Sequence, residues 1–247
     1  MKFALLSDLH ANRQATEAVW EHAQSEGFDR LVLLGDYVDY GADPSWVLGF
    51  VQQRVAEGAV AVRGNHDDAA VVGAHEGMHG HVQASLAWTR QQLDVEQRAF
   101  LAGLPLTATF GDCLAAHANA HAPAEWGYIH GRMEAMRSLY ATDAHLVFCG
   151  HMHEPRLYHL SGTGKAGEFE PVPGVAIPLS RARRWLAIPG SVGQPRDGNP
   201  AACYALYDDE QDTLTFQRVP YDHEGAAQRI TQAGLPEMMA QRLHHGR

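Results

Sequence analysis

The sequence predicts an α/β fold in which strand–loop–helix units lead and a β-rich half follows. Three short apolar runs near the amino terminus, Lys2–Leu6, Leu31–Leu34 and Ala59–Val62, each precede a helical pattern. The later apolar runs are mostly of strand length and are separated by short polar breaks. No fixed-period repeat and no long linker interrupts the chain, so one domain over residues 1–247 is the simplest organisation.

Lys2–Leu6 reads as a strand ending in Ser-Asp. Ala15, Ala18, Val19 and Ala23 then recur at helical spacing until Gly27, a natural stop. Leu31–Leu34 repeats the strand signal, and Asp43-Pro44 opens a helix carrying Val47, Phe50, Val51 and Val55, with Gly58 beyond its end. Ala59–Val62 is the third strand. A long insertion loop leads from it to a helical stretch from about Val82 to Leu101, with Asp94 capping the second half. Thr107–Ala116, Leu146–Cys149, Arg156–Leu160, Trp185–Ile188, Ala202–Tyr207 and Thr213–Val219 are strand-like, Ser161–Gly174 is a hairpin or mobile loop, and a carboxyl-terminal helix spans about 224–243.

Composition narrows the class. With 45% hydrophobic residues the chain can fill a core, and no apolar run approaches the roughly 20 residues of a membrane span. Met1–His10 reaches an aspartate too early for a signal peptide, so a cytoplasmic protein is expected. Cys113, Cys149 and Cys203 are odd in number and lie in apolar runs, which favours buried thiols over disulfides. A net charge of −10 repels nucleic-acid backbones and makes a polymeric nucleic-acid partner unlikely. Sixteen histidines is a high count, and several are clustered.

The chemistry sits at strand ends. The first strand delivers Asp8 and His10, the second Gly35, Asp36 and Asp39, the third the run RGNHDD at 63–68, and later strands His117 and then Gly150, His151 and His153. In a sheet of parallel strands these carboxyl ends share one edge, where open α/β sheets bind ligands. Convergence would gather Asp8, Asp36, His10, His117, His151, His153 and the amide oxygen of Asn65. Burying that set without a partner costs several kcal/mol per group, whereas divalent cations satisfy all of it. Mixed N and O donors without thiolate suit Mn²⁺, Fe, Zn²⁺ or Co²⁺, and seven ligands fit two ions roughly 3.5–4 Å apart with one carboxylate bridging. Taken singly, each piece has an ordinary explanation: Asp-x-His as a cap, Asn65 as a turn residue, Asp39 as an ion-pair partner. The ordered set of five clusters does not.

That ordered set, Asp8-x-His10, Gly35-Asp36-x-x-Asp39, Gly64-Asn65-His66-Asp67, His117 and Gly150-His151-x-His153, resembles the signature of the calcineurin-like metallophosphoesterases. SDLHAN at the first site and PGSVGQPRDGNPAACYALYD at 189–208 resemble the bacterial small-phosphoesterase branch, near the YfcE-type phosphodiesterases and diadenosine tetraphosphatase-like proteins. The resemblance implies a four-layer α/β/β/α sandwich of two facing mixed sheets with two divalent metals at one edge, Mn²⁺ foremost. It assigns Asp8, His10, Asp36 and His153 to one metal, and Asp36, Asn65, His117 and His151 to the other. It makes His66 the phosphate-binding general acid and Asp39 and Asp67 partners that orient imidazoles. The implied reaction is in-line attack on phosphorus by a metal-held hydroxide, with His66 protonating the leaving oxygen.

The pattern also departs from its relatives. Where protein phosphatases of the superfamily carry Asp-Arg-Gly, this chain has Asp39-Tyr40-Gly41, which removes a phosphate-gripping arginine. Asn12, Arg63, Tyr40 and Trp126 are the expected substrate contacts. Trp126, with Tyr128 and His130, either packs its loop down or forms a stacking wall for a nucleobase. A small-molecule phosphodiesterase or dinucleoside polyphosphate hydrolase is therefore expected, ahead of a protein phosphatase or a non-catalytic scaffold on the same fold.

Overall fold

The computed structural model describes residues 1–74, 78 and 80–247, and it contains two six-stranded mixed sheets. The first runs β3 (Val60–Ala61), β2 (Arg30–Leu33), β1 (Lys2–Leu6), β11 (Ala202–Asp208), β12 (Thr213–Val219), β9 (Ala176–Pro178). The second runs β4 (Thr107–Phe110), β5 (Cys113–Ala116), β6 (Leu146–Phe148), β10 (Arg183–Ile188), β7 (Arg156–Ser161), β8 (Ala166–Phe169). β1, β2 and β3 are mutually parallel, as are β5, β6 and β10, and the remaining pairings are antiparallel.

Strand alternation builds the layers. Phe3 and Leu5 of β1 point into a core between the sheets, shared with Phe148, Trp185 and Tyr207, while Ala4 and Leu6 point to the opposite face. Against that outer face pack α1 (Arg13–Glu26), α2 (Pro44–Ala56), α3 (Asn65–Val72), α4 (Gly80–Gln92) and α5 (Val95–Gly103), through Val19, Val47, Ala69, Leu86 and Leu101. The outer face of the second sheet carries α6 (Arg132–Tyr140), through Ala135 and Leu139. The result is an α/β/β/α sandwich. Two last helices, α7 (His223–Gln232) and α8 (Glu237–His245), pack on each other and on Tyr40 and Val82. All three cysteines are buried and free. No helix among the described residues is long and apolar enough to cross a membrane.

Several expectations need correction. Residues 65–72 open the insertion as a helix, because Asp67 turns back to accept from the Gly64 amide at 2.9 Å and supplies the start signal. Part of that insertion, residues 75–77 and 79, lies outside the described residues. Thr107–Ala116 is a hairpin, reversed at Gly111-Asp112, where Gly111 takes φ 56°. The 224–243 helix is two helices, since Gly234 adopts φ 71° and Pro236 cannot continue a helical ladder. Ser161–Gly174 does contain the expected hairpin, β8 pairing with β7, while α6 and β9 were not foreseen.

Candidate metal centre and active site

The parallel strands aim their carboxyl ends at one edge, and the loops that leave them are tied together by backbone. The Asp8, His10 and Ala11 amides donate to the Gly35, Asp36 and Tyr37 carbonyls at 3.0, 2.9 and 2.8 Å. Across the sheets, the Gly150 amide donates to the His117 carbonyl at 2.7 Å and the Gly193 amide to the Asp8 carbonyl at 2.8 Å. The approach is so close that a Cβ on Gly64 would collide with the Asp36 amide and carboxylate, and one on Gly150 would collide with Ser7. Asp8, His10, Asp36, His151 and His153 all adopt left-handed φ between 45° and 67°. Such residues cost about 1–3 kcal/mol each and concentrate where function over-determines the backbone.

Six side chains form two buried triads, Asp8–His10–His153 and Asp36–His117–His151, within each of which the ligand atoms lie inside 4.8 Å of one another. His10, His117 and His153 each direct Nδ1 to a carbonyl, of Val38 (3.2 Å), Leu34 (2.8 Å) and Gln194 (2.6 Å). A carbonyl only accepts, so Nδ1 carries the hydrogen and the neutral ring turns the Nε2 lone pair inward. His10 Nε2 and His153 Nε2 face each other at 3.1 Å, and His153 Nε2 lies 3.3 Å from Asp8 Oδ1. Asp36 Oδ2 lies 3.7 Å from His10 Nε2 and 3.2 Å from His117 Nε2, between the triads, and has no hydrogen-bond donor. The buried His151 Nε2 also lacks a partner, and Asn65 Oδ1 is 3.0 Å from His117 Nε2. Lone pairs converging without donors are what a cation pair satisfies, so this N/O donor set fits two divalent ions.

Electrostatics agree with the geometry. Burial pushes His10 well down, with the neighbouring His153 adding to it, and burial also pushes His151 down to about 3, so these rings are neutral donors. Burial would raise Asp8 and Asp36, but His153 and His117 outweigh it and hold both carboxyls down as anions. Burial would lower His117, yet Asp36 outweighs it and lifts the ring to about 9. The same pull of Asp36 on positive charge would act on a cation held beside His117.

His66 sits beside these triads. Its Nδ1 donates to Asp39 Oδ2 at 2.7 Å, and Asp39 Oδ1 is fixed by Ser85 Oγ (2.5 Å) and the Tyr40 amide (2.8 Å). Its Nε2 lies 3.1 Å from the Tyr40 hydroxyl. Burial would lower His66, but Asp36 and then Asp39 outweigh it, and the ring is raised. Burial pushes the Tyr40 hydroxyl far up, which keeps it protonated.

Other expected contacts are placed differently. Asp67 orients no imidazole: its carboxylate accepts from the Gly64, Asp36 and Tyr37 amides at 2.9, 2.8 and 2.9 Å and shapes the backbone under Asp36. Burial, then Asp36, raises it to about 7. Asn12 caps α1 through Ala15 N (3.1 Å) and donates to Gly193 O (2.8 Å) and Tyr221 Oη (3.1 Å), so its amide is engaged. Arg63 turns to the Ala102 carbonyl (3.2 Å) and the Asp68 carboxylate (3.3 Å). Trp126 stands edge-on to His117 at 6.1 Å. Arg181 pairs with Asp112 and Asp212, and Arg184 holds the Thr142 and Ala144 carbonyls, which makes both structural.

Sequence reasoning underrated three side chains. Tyr128, 47% exposed, stacks on His151 at 4.1 Å and 21°. Arg196 stands over the Tyr40 ring, Arg242 lies against the Tyr40 hydroxyl, and the two share Gln194. Arg196 follows the Gly-rich 189–194 stretch, which was a signal. Arg242, in the last turn of a helix, reads as an ordinary dipole-complementing cation.

Comparison with known proteins adds an independent line. The profile of the calcineurin-like phosphoesterase superfamily domain matches residues 1–212. An uncharacterised protein of Methanocaldococcus jannaschii is 31% identical over 254 residues, covering 99% of this chain and 98% of that protein. Phosphodiesterase YfcE of Escherichia coli is 27% identical over 218 residues, 85% of this chain and 89% of its own. The crystal structure of a metallophosphoesterase from Sphaerobacter thermophilus superposes with TM-score 0.88 at 33% identity, covering 100% of both chains.

Proposed function

Because this chain belongs to the calcineurin-like phosphoesterase superfamily and is a metal-dependent phosphoester hydrolase, we propose that it cleaves a phosphodiester or phosphoanhydride of a small, nucleotide-type substrate at a two-metal centre. The observation that carries this reading is Asp36 Oδ2, buried, without a donor, and between the two triads. Asp8, His10, Asp36 and His153 would hold one ion, and Asp36, Asn65, His117 and His151 the other. Two divalent cations held there would supply Lewis acidity toward the phosphoryl oxygens and a water nucleophile, with Mn²⁺ foremost and Fe, Zn²⁺ or Co²⁺ also matching the donors.

The chain's own residues do the rest. His66, raised by Asp36 and Asp39, holds a proton on Nε2 and delivers it to the leaving oxygen, which takes the place of the Tyr40 hydroxyl in that hydrogen bond. Asp39 fixes the ring, and Ser85 fixes Asp39. Tyr40 in place of arginine and the net charge of −10 favour diesters and anhydrides over phosphopeptides. We further propose that residues 1–247 form one domain working in the cytoplasm on a small molecule rather than on a nucleic-acid polymer.

The test is turnover by Mn²⁺-loaded protein across cyclic nucleotides, aryl phosphodiesters, dinucleoside polyphosphates and a phosphoserine peptide. The expected order places diesters or anhydrides first in kcat/KM. Faster turnover of the peptide would reverse the substrate assignment.

A further inference from the structure

Two arginines stand at the mouth of the site with no carboxylate between them among the described residues. Arg196, in the β10–β11 connection, places its guanidinium carbon 5.8 Å over the Tyr40 ring, while its amide donates to the carbonyl of His153 at 3.2 Å. Arg242 comes from the last turn of α8, 46 positions later in the chain. Both guanidinium groups are held by one neutral acceptor, Gln194 Oε1, at 3.0 Å from Arg196 Nη2 and 3.4 Å from Arg242 Nη1. Gln194 itself is buried, and its backbone carbonyl takes the proton of His153 Nδ1 at 2.6 Å. Arg196 Nε is buried and has no hydrogen-bond partner.

This arrangement is unfavourable as a purely structural device. Like charges repel, and half-buried guanidiniums normally find carboxylates. Two arginines nearby do so: Arg229 pairs with Asp43 and Arg218 with Asp197. Arg242 instead is lowered by burial and by Arg196, which the neutral Tyr40 hydroxyl only partly offsets. An unpaired couple of planar donors beside a phosphoester site is complementary to an anion with several oxygens.

We propose that Arg196 and Arg242, positioned by Gln194, form a second anion subsite that binds a phosphate neighbouring the one cleaved, and so direct the enzyme to substrates with two or more phosphates. Since α8 carries Arg242, the carboxyl-terminal helix pair is then part of the substrate site and not only a buttress. Tyr40, between the arginines and His66, is the wall that the two subsites share. The inference rests on the phosphoesterase reading, but its test does not require turnover.

The experiment measures binding of the methylene analogues of AMP and ADP, which resist hydrolysis, to Mn²⁺-loaded full-length protein by titration calorimetry. The wild type should bind the two-phosphate analogue about tenfold or more tightly, the scale of one added charge-assisted contact. Arg242→Gln and Arg196→Gln should each bring the ratio of the two dissociation constants toward one, and Arg242→Lys should keep part of it. Unfolding midpoints of the variants, read alongside, separate loss of the subsite from loss of the fold, and Arg242→Lys carries the test if a glutamine variant does not fold. A wild-type ratio near one, or a ratio unchanged in folded variants, would overturn the subsite. Absence of phosphoester turnover with the ratio intact would instead contradict the assigned reaction and leave the anion subsite standing.

Discussion

The floor and the rim of the site are built on opposite plans. On the floor, Asp8, His10, Asp36, His151 and His153 sit on left-handed backbone, cross-tied by amide–carbonyl bonds and by Asp67 beneath Asp36. Every side chain there is buried, and among the described residues Asp36 Oδ2 and His151 Nε2 have no hydrogen-bond partner. On the rim, Tyr128 is 47% exposed and Arg242 hangs from a helix end through a 3.4 Å contact. The contrast teaches that strain and desolvation are spent where charge must be held in fixed geometry, whereas substrate selection is left to side chains that can shift. Changes to the floor should therefore be nearly all-or-none, and changes to the rim graded.

The harshest test of the floor is Asp36→Asn, because an amide cannot bridge two cations as a carboxylate does. A fall in kcat of about 10³-fold or more is expected, the scale of several kcal/mol of lost metal catalysis. Retained turnover within tenfold would show that Asp36 does not bridge, and the division into floor and rim would lose its basis.

His66→Gln comes next and separates chemistry from scaffold. With a poor, alkoxide-like leaving group kcat should drop about 10²–10⁴-fold, the usual worth of general acid catalysis. With p-nitrophenolate, already a stable anion, the loss should be smaller by roughly one order of magnitude. Equal losses in the two assays would mean that His66 only stabilises the phosphoryl group.

Metal removal should cost stability as well as activity, since the floor's lone pairs then face one another. Refilling with Mn²⁺ at about 100 times its dissociation constant should add about 2.7 kcal/mol for each ion bound, equivalent to an unfolding midpoint higher by roughly 5–10 °C per ion. A midpoint that does not move with metal would mean that the ligands are satisfied without it.

The rim should give the mildest response. Tyr128→Ala removes a ring stacked 4.1 Å from His151 and should raise KM for nucleoside substrates by about 3–10-fold, with kcat little changed. The same loss for a substrate without a base would assign Tyr128 to support of His151 instead.

The same contrast decides how much could be read in advance. The floor was legible because each ligand or ligand pair follows an apolar strand by one or a few residues, and parallel pairing of β1 with β2 and of β5 with β6 carries those local spacings to one edge. The jobs of Asp67, Asn12 and Arg63 were not legible. Each depends on which backbone lies within reach of a short or flexible side chain: four amides for Asp67, Gly193 for Asn12, Ala102 for Arg63. The helix from Asn65 was hidden because its first turn carries the site's polar residues, and the break between α7 and α8 was marked by Pro236, a signal outweighed by the surrounding helical periodicity. Arg242 reaches the site only through the packing of α8 on α7 and Tyr40, which no local pattern records.

The claim on which all of this depends is that Asp36 joins two metal ions. Elemental analysis of protein stripped and refilled with Mn²⁺ tests it most directly, on the wild type, His66→Gln and Asp36→Asn side by side. Two ions per chain are expected in the wild type and in His66→Gln, and one or fewer in Asp36→Asn. A wild type that saturates at one ion, or an Asp36→Asn variant that still holds two, would contradict the bridged centre.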